Sequence, residues 1–132
     1  MHTEQHLGDR EWVATSTFAR RPETVASARS WAAKVYVAAG GALPDLCELL
    51  VSEVATNAVI HGGGTQYRVT VRADLVIEIW DASPVRPERR HAGTDEIGGR
   101  GLELLDACAP GYTVHVDEDL GGKTVCFALK GW

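Results

Sequence analysis

The stretch on which the reading turns is residues 44–64, PDLCELLVSEVATNAVIHGGG. Pro44-Asp45 opens it and Gly62-Gly63-Gly64 closes it, the punctuation expected at the two ends of a helix. Successive residues turn about 100° around a helix axis. With Leu46 as the centre, Leu49, Leu50 and Ile60 fall within about 60° of one line, and Glu53 and Asn57 within about 20° of it. A carboxylate and an amide thus sit mid-stripe on an apolar face, one turn apart. Burying such groups without compensation is costly, so both need a partner: water, a metal, a ligand or a buried base. Taken alone, Glu-x-x-x-Asn equally fits an internal Glu–Arg pair with Asn57 capping nearby backbone. His61, one turn beyond Asn57, reads either as a further ligand or as a basic residue suited to a helix C-terminus.

Working outward, Arg21-Pro22-Glu23 opens an earlier helix that runs to about Ala39 and ends at Gly40-Gly41. Its apolar positions Val25, Ala28, Ala32, Val35 and Ala39 recur every three or four residues. Residues 11–19, EWVATSTFA, have strand composition. After the glycines, Thr65 to Arg72 alternates Tyr67, Val69 and Val71 with Arg68, Thr70 and Arg72, the pattern of a half-buried strand. Ala73-Asp74 turns the chain into a second strand, Leu75–Asp81. There residues 75, 77, 79 and 81 share a face, so Asp81 ends a buried row of Leu, Ile and Ile. It is read as a functional carboxylate or as a turn-forming residue before Ala82-Ser83-Pro84. Trp80 faces the other way, onto an outer sheet surface suited to a homodimer or partner contact.

Residues 82–99 carry Pro84, Pro87, Gly93, Gly98 and Gly99 without periodicity, the mark of a lid or mobile loop. Gly98-Gly99-Arg100-Gly101-Leu102 then leads into a short helix over 101–109. Glycines followed by a helix N-terminus can cradle phosphate; taken alone, so short a cluster also fits a plain loop. Arg100 there is either a phosphate contact or a solvated residue. Two last strands, 111–116 and 123–129, flank Gly121-Gly122-Lys123-Thr124. That segment is not a P-loop, because a strand rather than a helix follows it. Thr124 starts the strand, where its hydroxyl either faces the pocket or belongs to an ordinary strand threonine after a hairpin turn. The order β-α-α-β-β-loop-α-β-β predicts an α/β (α+β) two-layer sandwich. About five strands form a mixed, mainly antiparallel sheet, with about three helices on one face.

The chain has 132 residues, 45% hydrophobic and 23% charged, with a net charge of −5. These values fit one globular domain, residues 11–132, behind a flexible polar lead-in at 1–10. The acidic balance disfavours nucleic acid. No apolar run approaches the ~20 residues of a membrane span, and the polar N-terminus has no apolar signal core, so a cytoplasmic protein is expected. Cys47, Cys108 and Cys126 are too far apart for a CxxC-type zinc site.

With these segments in hand, the chain resembles the GHKL (Bergerat-fold) ATPase and kinase superfamily over roughly residues 10–130. Within it, the likeness is to the stand-alone anti-sigma-factor serine kinases of the RsbW type found in actinobacteria. LLVSEVATNAVIHGG resembles the N box, WDASP the first glycine box, GGRGL the second, and GGKTV the last strand of that family. The resemblance implies ATP and Mg²⁺ as cofactors, Glu53 as catalytic base and Asn57 as the Mg²⁺ ligand. It implies Asp81 as the acceptor for the adenine amino group, with Ser83 in the same box. Gly99, Arg100, Gly101 and Leu102 would lie along the phosphates and Thr124 near the adenine. It also implies a serine/threonine kinase whose partners are a sigma factor and an anti-anti-sigma (STAS-type) protein. The sequence departs from the family where Ser83-Pro84 replace the glycine of the first box, which leaves a non-catalytic nucleotide- or partner-binding regulatory module as the alternative.

Overall fold

The computed structural model describes residues 2–5, 14–83, 105–117, 119 and 121–129, the first four by their backbone alone. Strand alternation organises it. β2 (Ala14–Ala19), β3 (Gln66–Val71), β4 (Val76–Asp81) and β6 (Gly122–Ala128) each bury every second residue. Their inward rows are Ala14, Ser16, Phe18; Tyr67, Val69, Val71; Ile77, Ile79, Asp81; and Lys123, Val125, Phe127. β1 (His2–Gln5) and β5 (Thr113–Asp117) complete a six-stranded sheet of order β1-β2-β3-β4-β6-β5.

The two-layer α/β class expected from the sequence is what the chain adopts. Three details differ. Every strand pair among the described residues is antiparallel, with no parallel pair to make the sheet mixed. The polar lead-in supplies an edge strand, His2–Gln5, paired with β2, because an edge strand can be polar on both faces. Of the helix expected over 101–109, residues 105–108 are helical and 101–104 lie outside the described residues.

α1 (Thr24–Ala38) and α2 (Pro44–His61) pack side by side on one face of the sheet, α1 against β2 and β3, α2 against β3 and β4. Small residues let them approach: Ala28, Ala32 and Ala33 on α1 and Ala55 and Ala58 on α2 are buried. Phe18 stacks on Tyr67 at 5.7 Å and meets the edge of Trp31 at 6.1 Å. Tyr36 is fully buried and ties the layers together. Its hydroxyl donates to the Leu129 carbonyl at 2.9 Å and accepts from the Leu43 amide at 3.1 Å.

Two tests follow from this core. Tyr36→Phe leaves the Leu129 carbonyl and the Leu43 amide without that partner and should lower stability by about 1–3 kcal/mol in urea unfolding. Cys47 is fully buried, and burial, with the Glu48 carboxylate adding to it, pushes its thiol up to about 12. The reactive thiolate is therefore absent at pH 8. Cys47 should resist Ellman's reagent in the native chain and react in denaturant, with mass spectrometry locating the label.

Candidate functional site

The site lies where the C-terminal end of α2 meets the C-terminal end of β4. Gly62 stops α2: its amide closes the last turn on the Ala58 carbonyl, and a Cβ at this position would collide with that oxygen. The chain then runs extended against the residues after Asp81, and a Cβ on Gly63 would stand 3.3 Å from the Ser83 nitrogen. Arg20, at the end of β2, fixes this corner. Its guanidinium donates to the Val59 carbonyl at 2.7 Å and to the Gly64 carbonyl at 2.9 Å, and its amide donates to Thr65 O at 2.9 Å. A cation on the last-turn carbonyls also suits the negative end of the helix dipole. Sequence reasoning passed over Arg20; an arginine at a strand end gives no signal of its own.

Glu53 and Asn57 sit on this helix, but not at the centre of its buried face. The buried residues are Cys47, Leu50, Val51, Val54, Ala55 and Ala58, an arc centred about 100° round from Leu46. Leu46 is half-buried, while Leu49 and Ile60 are exposed at 42% and 49%. The apolar stripe read from the sequence is therefore one flank of the buried arc. Leucine occurs on both faces, and the residues that pack include Cys47 and small alanines, which carry a weaker hydrophobic signal. Glu53 and Asn57 fall on that flank, half-buried, where a side chain can meet both protein and ligand. The Oε2 atom of Glu53 and the Oδ1 atom of Asn57 are buried and accept no hydrogen bond, while each residue makes other polar or electrostatic contacts. His61 is exposed in the last turn of α2, the helix-end alternative of the sequence reading.

Asp81 points into the helix-facing side as its row requires and is 3% exposed. Its Oδ1 accepts from the Ser83 amide at 2.8 Å, so it also forms the local turn that the sequence allowed. Ser83 is buried. The larger partner is Lys123. Its ammonium lies 2.9 Å from Oδ1 and 2.8 Å from Oδ2, with both side chains about 95% buried. Register explains the meeting: Asp81 pairs with Lys123 across β4–β6 and with Tyr67 across β3–β4. Tyr67 is fully buried and shares a hydrogen bond of 2.8 Å with Thr24. Burial raises its phenol pKa against a smaller lowering by that bond.

The same register corrects the expectation for Thr124. It pairs with Trp80 and His115 on the outer sheet face, away from Asp81. The residue of Gly121-Gly122-Lys123-Thr124 that faces the helix layer is Lys123. Parity would have found it: counting back by twos from Leu129, Phe127 and Val125 lands on 123. Gly122 is needed beside it, because a Cβ there would stand 2.7 Å from Trp80 Nε1 and 2.9 Å from the Asp81 carbonyl. Trp80 itself is half-buried, with the Arg68 guanidinium 5.0 Å above its ring. Gly99, Arg100, Gly101 and Leu102 lie outside the described residues.

A family profile described as the histidine kinase-like ATPase domain matches residues 18–129. No curated protein matches the chain. The chain belongs to the histidine kinase-like ATPase family, a class of ATP-binding, kinase-like domains. No described helix is long and apolar enough to cross a membrane. Among the described residues, no group of three His, Cys, Asp or Glu side chains could hold a metal ion. The donors at hand suit Mg²⁺ in another way. An amide oxygen and a nearby carboxylate are hard ligands, and Mg²⁺ commonly takes one or two protein oxygens and completes its shell with phosphates and water.

The ion pair makes a prediction. Asp81→Asn keeps the shape but leaves the Lys123 ammonium buried beside a neutral amide. Its unfolding free energy should fall by about 3 kcal/mol or more, measured by urea denaturation, whereas Thr124→Ala on the outer face should change it by well under about 1 kcal/mol.

Proposed function

We propose that this chain is a cytoplasmic, ATP-dependent regulatory protein of the anti-sigma-factor serine/threonine kinase kind. In this reading it binds a sigma factor and phosphorylates an anti-anti-sigma (STAS-type) protein. The supporting observation is the placement of Glu53 and Asn57, one turn apart on the flank of α2, on the same side of the sheet as Asp81. The family match over 18–129 supplies the class of chemistry.

The roles follow from the residue types. Asn57 Oδ1 is a neutral oxygen suited to Mg²⁺, which when bound neutralises phosphate charge. The Glu53 carboxylate accepts the proton of the attacking serine or threonine hydroxyl as its oxygen bonds to the γ-phosphorus and ADP departs. Asp81 receives the adenine amino group. Gly99, Arg100, Gly101 and Leu102 are assigned to the phosphates by their sequence pattern. Ser83 turns the chain at the adenine end through its backbone, and the exposed His61 has no assigned contact with nucleotide.

Incubation with γ-labelled ATP and the anti-anti-sigma protein tests this. Asn57→Ala should weaken Mg²⁺-dependent ATP binding by about tenfold or more. Glu53→Ala should keep ATP binding while label transfer drops about a hundredfold. Transfer by Glu53→Ala at the wild-type rate would refute the assigned base. A second reading, a module that controls its partner by contact without nucleotide, is favoured by one observation: Lys123 already neutralises Asp81. Calorimetric titration with ATP and Mg²⁺ separates the two, since the contact module gives no heat while still binding its partner.

A further inference from the structure

We infer that Lys123 sets the base specificity of this site by competing with a bound purine for the Asp81 carboxylate. The inference rests on the nucleotide-binding reading above and deepens it.

A carboxylate has two oxygens and about four acceptor positions. In this chain three are used: the Ser83 amide and the Lys123 ammonium on Oδ1, and the same ammonium on Oδ2. The exchange is internal and nearly sealed, since the two side chains are 6% and 5% exposed. An amino group arriving from a base therefore meets an acceptor whose charge is already balanced at 2.8 Å. It loses most of the advantage that a charged acceptor gives a hydrogen bond.

The ammonium also changes which base edge is tolerated. A bare carboxylate accepts from the amino group at the 6-position of adenine and repels the carbonyl oxygen that guanine presents there. An ammonium carries three donors and no acceptor. It donates to Asp81 Oδ1 and lies against Oδ2, and a donor not used there can serve that carbonyl. Both effects act in one direction: Lys123 weakens the adenine contact and softens the rejection of guanine. The position is fixed by the fold, because the β4–β6 register sets 123 opposite 81 and Gly122 brings the backbone of β6 hard against Trp80 and Asp81.

The test is the ratio of the GTP and ATP dissociation constants, measured with Mg²⁺ by calorimetry on the full chain. Wild type should show a small preference for ATP. Lys123→Met, which keeps the stem and removes the charge, should raise the ratio about tenfold. Asp81→Asn/Lys123→Met, which buries no charge, should bring the ratio back to the wild-type value or below it. Because Lys123→Met leaves a carboxylate buried alone, at a cost in stability, a wild-type readout stands beside it. The Lys123 Nζ resonance in ¹⁵N NMR should move on addition of ATP and stay in place with inorganic triphosphate. If ATP binds while the resonance is unmoved, or if a folded Lys123→Met keeps the wild-type ratio, the inference is overturned and the nucleotide reading survives. If neither nucleotide binds any form, the nucleotide reading itself fails and carries the inference with it.

Discussion

A carboxylate on the packed face of a sheet is tolerable only with compensation at hand, and here the ammonium of Lys123 provides it. Much of the structure serves that meeting. Antiparallel pairing of β4 with β6 puts residues 81 and 123 opposite each other, and strand alternation points both toward the helices. Gly122 gives the room for β6 to come close. On the β3 side of Asp81, the inward row continues with Tyr67 and, stacked on it, Phe18.

The helix layer is held by different means. α1 and α2 pack together with buried alanines on both, and the Tyr36 hydroxyl links α1 to Leu43 at the start of α2 and to Leu129 just after β6. Arg20 then fastens the final turn of α2 to the end of β2. Such two-point contacts to backbone carbonyls fix position as well as contributing energy.

The fold was legible because its signals are periodic. Alternation through Tyr67, Val69 and Val71 and through Ile77, Ile79 and Asp81 predicted two strands and their inward faces, and the glycines at 40–41 and 62–64 marked helix ends. The site was legible in part. Glu53, Asn57 and Asp81 stood out as polar groups where apolar ones were expected. Their setting was less so: the stripe through Leu46, Leu49 and Ile60 has the composition of a buried face, and only packing tells it from the neighbouring arc of small residues. The resemblance points to Thr124, whereas strand parity puts Thr124 on the outer face and Lys123 on the inner one. The Lys123–Asp81 pair joins residues 42 apart in sequence, so it exists only through strand register, which no local pattern states. Arg20 was invisible for the same reason.

The outer surface of the sheet has a character of its own. Thr15 and Thr70 share a hydrogen bond of 2.8 Å, Arg72 reaches Glu78 at 3.2 Å and Asp74 at 2.8 Å, and Arg68 roofs Trp80. β2 thus answers β3 with hydroxyls, the end of β3 answers β4 with opposite charges, and the Trp80 ring wears a cation. This back wall is content in water. Whatever docks there must trade existing polar pairings for new ones, so recognition on that side would turn on matching charge and hydrogen-bond geometry rather than on hiding grease.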